Sequence, residues 1–208
     1  MLDTIVAFFN EKPWAAILLT GLAGSFLTAM TIQTQRSINR RRSTFEMLSR
    51  VIWDKDYIEA SAAFYHIMKD QKLLMKYYDQ FSECRSLKNR GEWECLPNSD
   101  KEKFEPGISI VTSIRSVLND RELMAIGIRE GTFDEVIYRR WWHSTYVKEW
   151  KESSALVARF RSEPTGPGPA AYTEMELLAR KWEAEGPWTR RDRHIRFFGR
   201  NITVSRSR

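Results

Sequence analysis

An all-α fold is predicted for this chain, and three observations predict it. Apolar residues recur at steps of three and four through most of the length. One 23-residue run near the N-terminus carries no charge. No stretch before the C-terminal tail alternates polar with apolar residues as a half-buried strand does. The expected architecture is one N-terminal transmembrane helix, a cytosolic helical bundle of about five helices, and a basic C-terminal tail.

The uncharged run is Pro13 to Gln35. At about 1.5 Å per residue it reaches roughly 35 Å, enough to cross a hydrocarbon core with slight tilt. Lipid offers the backbone no hydrogen-bond partners, so the run must be helical. Residues 1–12 form a short extracytoplasmic N-terminus, and Pro13 suits a first helical turn, where a missing N–H costs nothing. A cleaved signal peptide would carry a basic n-region, whereas Asp3 and Glu11 outnumber Lys12 here. The basic residues instead follow the run, in a juxtamembrane collar over 36–42 with Arg36, Arg40, Arg41 and Arg42. The positive-inside rule then places the N-terminus outside and everything after the collar in the cytoplasm.

Within the span Thr20, Gly24, Thr28, Thr31 and Gln35 fall on one helical stripe, and Gly21, Ser25 and Ala29 on the next. Small residues at such spacing let two membrane helices approach closely, so Thr20, Gly21, Gly24, Ser25, Thr28 and Ala29 are candidate packing positions and a homo-oligomer is expected. A pore lined by the Thr20, Gly24, Thr28, Thr31 stripe is the competing reading, with no ionisable residue in the span.

The cytosolic helical domain is expected over 43–163. Ser43-x-x-Glu46 has capping-box spacing and predicts a fresh helix start, and a break follows near Asp54-Lys55-Asp56. Ile58, Ala62, Tyr65 and Met68, then Leu73, Leu74, Tyr77, Tyr78 and Phe81, continue the pattern to about Lys88, where Asn89-Arg90-Gly91 stops it. Gly91 to Gly107 reads as a loop around a short helix capped by Ser99. Ile108 to Arg129 is a strong helix ended by Gly131, and Thr132-x-x-Glu135 opens another that runs to about Arg161. A Pro/Gly linker occupies 164–171, and a closing helix with a third capping box, Thr173-x-x-Glu176, fills 172–187. Residues 188–208 are the Arg-rich tail, in which Ile195 to Val204 could form an edge strand or hairpin against its own charge density.

Net charge is +6, and the tail alone accounts for it, with seven arginines against Asp192. The remaining charges balance, so a general nucleic-acid-binding surface is not indicated. Arg190, Arg191, Arg193, Arg196 and Arg200, interleaved with Trp188, Phe197 and Phe198, suit anionic lipid headgroups next to a membrane-held domain. A tail packed back on the domain or bound to nucleic acid would use the same residues, and nucleic acid is the least expected of these. Cys84 and Cys95 are the only cysteines, and in a reducing cytoplasm two unpaired thiols are expected.

The order of elements resembles a known family. "RRRSTFEML", then "IRSVLNDRELMAIGIREGTFDEVIYRRW", then "YTEMELLARKW" follow a membrane helix and a basic collar. The pattern is similar to a large bacterial and phage family of membrane-anchored helical proteins catalogued as a domain of unknown function. The resemblance spans roughly Arg40 to Trp182, and Leu118-Asn119-x-x-Glu122, Ala125, Gly127-Ile128 and the Gly131, Asp134-Glu135 turn carry it best. It implies a single-pass anchor in a bacterial inner membrane with a cytosolic helical domain, and it brings no reaction. Its setting associates the chain with phage defence, superinfection exclusion or envelope stress.

Bottom-up, Arg115, Asn119 and Glu122 place polar groups on one helical face, either a buried network that orients neighbouring helices or the wall of a ligand site. No phosphate-binding glycine loop, zinc-protease, nucleophile-elbow or dinucleotide motif occurs, and His66, His143 and His194 are far apart. No catalytic residue, metal site or cofactor is therefore expected. The leading expectation is a non-enzymatic membrane protein that self-associates and presents a protein-binding domain, with a pore-forming effector and a membrane-tethered nucleic-acid binder as rivals.

Overall fold

Backbone polar groups explain where each helix starts and stops. The computed structural model describes residues 13–163, 166–187, 194–197 and 200–203. Helix α1 runs Pro13–Trp53 without a break. Asp54 ends it and starts α2 (Lys55–Met68) by accepting a hydrogen bond from the Tyr57 N–H at 3.2 Å. Asp70 does the same for α3 (Gln71–Asn89), taking the N–H groups of Lys72 and Leu73, both at 3.0 Å. A single 3₁₀ turn, Trp93–Cys95, and a short α4, Asn98–Glu102, lead into α5, Glu105–Arg129. Gly131, at φ 71°, stops α5. There the Thr132 N–H bonds back to the Gly127 carbonyl at 2.8 Å, a turn that a side chain at position 131 would strain. Asp134 then caps α6 (Glu135–Ser162) through Val136 and Ile137, and α7 (Thr173–Glu185) closes the bundle.

The all-α expectation holds, with two kinds of difference, the first at helix starts: Ser99 lies inside α4, Asp134 and not Thr132 caps α6, and Thr173 lies inside α7. Ser43 starts no helix, because α1 passes through it; between Ser37 and Trp53 there is no glycine, proline or Asx turn to compete with the helix. The second is a two-stranded antiparallel hairpin, β1 (His194–Phe197) with β2 (Arg200–Thr203), which pairs Ile195 with Ile202 and Arg196 with Asn201. The sequence weighed that hairpin and set it aside for its charge. Residues 1–12 and Arg190, Arg191 and Arg193 lie outside the described residues.

The chain divides into two units, one comprising residues 1–42 and 192–208 and the other residues 43–191. In the second unit α5 is the central helix, packed against α2, α3 and α7, while α6 packs against α7. Its buried face, Val111, Ile114, Val117, Leu118, Met124 and Ala125, meets Phe64 and Ile67 of α2, Leu74 and Tyr78 of α3, and Trp182 of α7 within one apolar core. The last turns of α1 join that unit through buried Thr44 and Leu48, and the Thr44 hydroxyl accepts the Asp134 N–H at 2.7 Å. Residues 166–171 follow the end of α6 closely. The Arg161 Nε donates to the Ala171 carbonyl at 2.8 Å, and a side chain on Gly166 would meet the Phe160 carbonyl at 2.3 Å.

Candidate functional site

Polar side chains bonded between helices are the informative residues of this bundle, and those that are buried must be satisfied by a partner. Three groups of them occur along α5 and α6.

The first was legible in sequence. Glu122 sits one turn beyond Asn119 on α5, and both reach the start of α7. The Glu122 carboxylate accepts the N–H groups of Glu174 at 3.2 Å and Met175 at 2.7 Å. Asn119 accepts the Tyr172 hydroxyl at 3.1 Å. Tyr172 holds a left-handed conformation at φ 58°, and α7 has no cap from its own sequence. Glu122 is therefore a tertiary N-cap: a carboxylate from another helix satisfies the exposed N–H groups and complements the positive end of the helix dipole. Arg115 lies one further turn back, its guanidinium 5.9 Å from the Phe160 ring centre. Burial pushes the Tyr172 phenol up while Arg115 pulls it down. Glu122→Ala is expected to cost about 1–2 kcal/mol, as for loss of a helix cap. It should also speed amide exchange in the first turn of α7; Glu122→Gln, which keeps one acceptor, should fall between. Unchanged exchange at Glu174 and Met175 would contradict the capping role.

The second group escaped the sequence reading. Arg121 and Glu149 form an ion pair with side chains only 2% and 1% exposed, joined at 2.6 Å (Nε to Oε2) and 3.0 Å (Nη2 to Oε1). Tyr65 of α2 donates to the same carboxylate, and the Tyr146 hydroxyl donates to the Arg121 carbonyl at 3.1 Å. The guanidinium also lies over the Trp142 ring, 4.3 Å from its centre. Burial works against the Arg121 charge, but the hydrogen bonds and charge of the Glu149 carboxylate outweigh it and hold the group charged. Burial and the adjacent Glu149 push the Tyr65 phenol upward, so it remains a donor. Three helices, α2, α5 and α6, are tied at one buried point. The signal was in the spacing. Arg121 falls in phase with Val117, Leu118, Met124 and Ala125, and Glu149 in phase with Tyr146, Ser153 and Leu156, so each puts a charge on an apolar stripe.

The third group joins α6 to α7. Glu135 accepts Lys181 Nζ at 2.6 Å and the Trp182 indole N–H at 3.0 Å. Arg139 bonds Glu185 and the Gly186 carbonyl, and His143 Nε2 donates to the Trp182 carbonyl at 3.0 Å. A cleft of about 390 Å³ opens beside them, lined by Arg139, His143, Ser144 and Pro187 among others. Its inner cation and imidazole are thus already engaged by α7. Among the described residues no three His, Cys, Asp or Glu side chains converge as a metal site would require.

On α1 the packing candidates Thr20, Gly21, Gly24, Ser25, Thr28 and Ala29 are all exposed, and nothing lies within 4 Å of where a side chain on Gly21 or Gly24 would begin. The Thr28 hydroxyl donates to the Gly24 carbonyl at 2.8 Å and Thr31 to the Leu27 carbonyl at 2.9 Å. In the collar Arg36, Arg41 and Arg42 are exposed and Arg40 is half-buried. In the tail, Arg196 and Arg200 hold register positions in the hairpin.

This arrangement, an apolar helix leading into a bundle closed by α7 on α5, coincides with a family boundary. The family model of a domain of unknown function, DUF4760, matches residues 16–182. The chain belongs to the DUF4760 family. The match begins inside the apolar span, at residue 16, and ends at Trp182, the last core residue of α7, so all three polar groups have their principal residues inside the DUF4760 domain. No curated protein and no solved structure matches the chain.

Proposed function

We propose that this DUF4760 protein is a non-enzymatic, single-pass protein of a bacterial inner membrane that self-associates through its anchor and presents a cytoplasmic helical domain to a protein partner. The observation that supports it best is the bare apolar circumference of α1. Among the described residues one helix is long and apolar enough to span a membrane, and none of its apolar window is buried within the protein. Leu22 and Phe26 are 68% and 62% exposed, and Ile17, Leu18, Leu27 and Met30 are exposed with them. Water penalises such area by about 25 cal/mol per Å², whereas lipid does not. The exposed arginines after the span favour a cytoplasmic domain.

The core charges favour a binding module over an enzyme, because their chemistry is spent on structure: Arg121 and Glu149 on each other, Glu122 on the start of α7. Against a pore, the Thr28 and Thr31 hydroxyls are satisfied along their own helix and need no water-filled lumen. The Arg-rich tail would add headgroup contact. The bacterial and phage setting of the family directs the partner search to phage defence, superinfection exclusion and envelope stress.

The test is extraction and labelling of the full-length protein in cells. It should stay with membranes through alkaline carbonate, and an impermeant maleimide should reach exposed Cys95 only after the inner membrane is opened. Buried Cys84, whose thiol burial also pushes up, should stay unlabelled until the domain unfolds. Release into the carbonate supernatant would refute the anchor, and labelling of Cys95 in intact spheroplasts would refute the orientation.

A further inference from the structure

Helix α1 carries a second pattern, which outlasts the apolar span. From Ile17, alternating steps of four and three reach Gly21, Gly24, Thr28, Thr31 and Gln35. The same alternation continues through Ile38, Arg42, Phe45, Ser49 and Ile52. Every one of these positions is exposed, along a single uninterrupted helix. Beyond the span the apolar members are large, with Phe45 58% and Ile52 42% exposed. Thr44 and Leu48 on the adjoining face are buried in the bundle, so the chain's own core leaves this stripe uncovered.

Lipid does not cover it either. At about 1.5 Å per residue, Phe45 lies roughly 15 Å and Ile52 roughly 26 Å along the helix past Gln35. The headgroup zone is only about 5–8 Å deep on each side, so both stand clear of it. A step of four and three is the spacing with which two parallel helices wrap around each other, left-handed when it repeats over several heptads. A second copy in the same membrane supplies the matching helix. Its identical anchor sets the same depth and direction, so each stripe residue meets its own counterpart with no search of register.

We infer that α1 pairs with α1 of a second copy along one parallel seam that starts in the membrane and continues through Ile38, Phe45 and Ile52. The inference rests on the anchored, self-associating reading above. Small residues bring the helices together within the lipid, and large apolar residues fill the seam beyond it. Arg42, roughly 10 Å past Gln35, lies just beyond the headgroups, with its apolar stem along the seam and a side chain long enough to reach back to anionic lipid.

Cysteine cross-linking in native membranes tests this, with full-length protein carrying Cys95→Ser and one new cysteine at a time. Oxidation should yield several-fold more dimer from Thr28→Cys, Phe45→Cys, Ser49→Cys and Ile52→Cys than from Arg36→Cys or Arg50→Cys, which lie on another face of the helix. Phe45→Glu combined with Ile52→Glu should shift the protein from dimer to monomer in mild detergent with its helical signal unchanged. If Thr28→Cys cross-links while Phe45→Cys and Ile52→Cys do no better than Arg50→Cys, the extended seam is wrong and self-association within the anchor stands. If no position cross-links, the seam and the anchor's self-association both fall, and carbonate extraction alone then decides whether the helix is an anchor.

Discussion

Glu149→Ala is expected to destabilise the helical domain by about 3–5 kcal/mol, the usual cost of leaving a buried charge without its partner. Arg121 is buried to 2% exposure and receives two hydrogen bonds' worth of compensation from that one carboxylate. Tyr65 would lose its acceptor in the same substitution. Tyr65→Phe alone should cost only about 1 kcal/mol, because the ion pair survives it. Arg121→Met combined with Glu149→Leu should recover most of the loss, since an apolar pair of similar size removes both desolvation penalties. Thermal unfolding of the full-length protein in mild detergent, followed by the far-UV helical signal, separates the four variants. The double variant as unstable as Glu149→Ala would mean that the pair specifies the helix arrangement and is not merely tolerated. A Glu149→Ala protein within 1 kcal/mol of wild type would show that the guanidinium finds water when its partner goes.

The helices were legible because their signals are local. Apolar spacing and flanking breakers are read within a dozen residues, and so Ile108 to Arg129 and the stop at Gly131 correspond to α5 and its left-handed turn. Capping boxes were less dependable, since a Ser or Thr followed by Glu at the third position marks a helix start only where the backbone already breaks. Ser43 has the spacing and lies inside α1, and at Thr132 the cap is Asp134, two residues on. The polar groups mix both cases. Asn119 and Glu122 stood out on one face, but the N–H groups that Glu122 satisfies lie 52 and 53 residues later, a distance no local pattern spans. Arg121 and Glu149 were hidden in plain amphipathic composition. Each looks like one more charge among many on a helix, and on α6 only its phase with the apolar stripe separates Glu149 from solvated neighbours such as Lys148 and Lys151.

Trp182→Ala should be comparably severe, at about 3–5 kcal/mol for a fully buried tryptophan. Trp182 is at 0% exposure, its ring centre 5.1 Å from that of Tyr146 and 5.9 Å from that of Tyr138, with the His143 ring stacked on it at 6.0 Å. The indole N–H adds the bond to Glu135. Truncation empties the centre of the α6–α7 contact, and it does so in a helix that the chain reaches only through a Pro/Gly-rich connection. The expected result is therefore local before it is global, with α7 amides losing exchange protection and the 164–168 segment becoming protease-sensitive ahead of the rest of the domain. Trp182→Phe keeps most of the ring contacts and forfeits only the Glu135 bond and part of the volume, so it should cost clearly less and leave α7 docked. Equal damage from both substitutions would place the weight on the indole hydrogen bond. A wild-type exchange pattern in Trp182→Ala would mean that Met175, Leu178 and the Glu122 cap hold α7 without it.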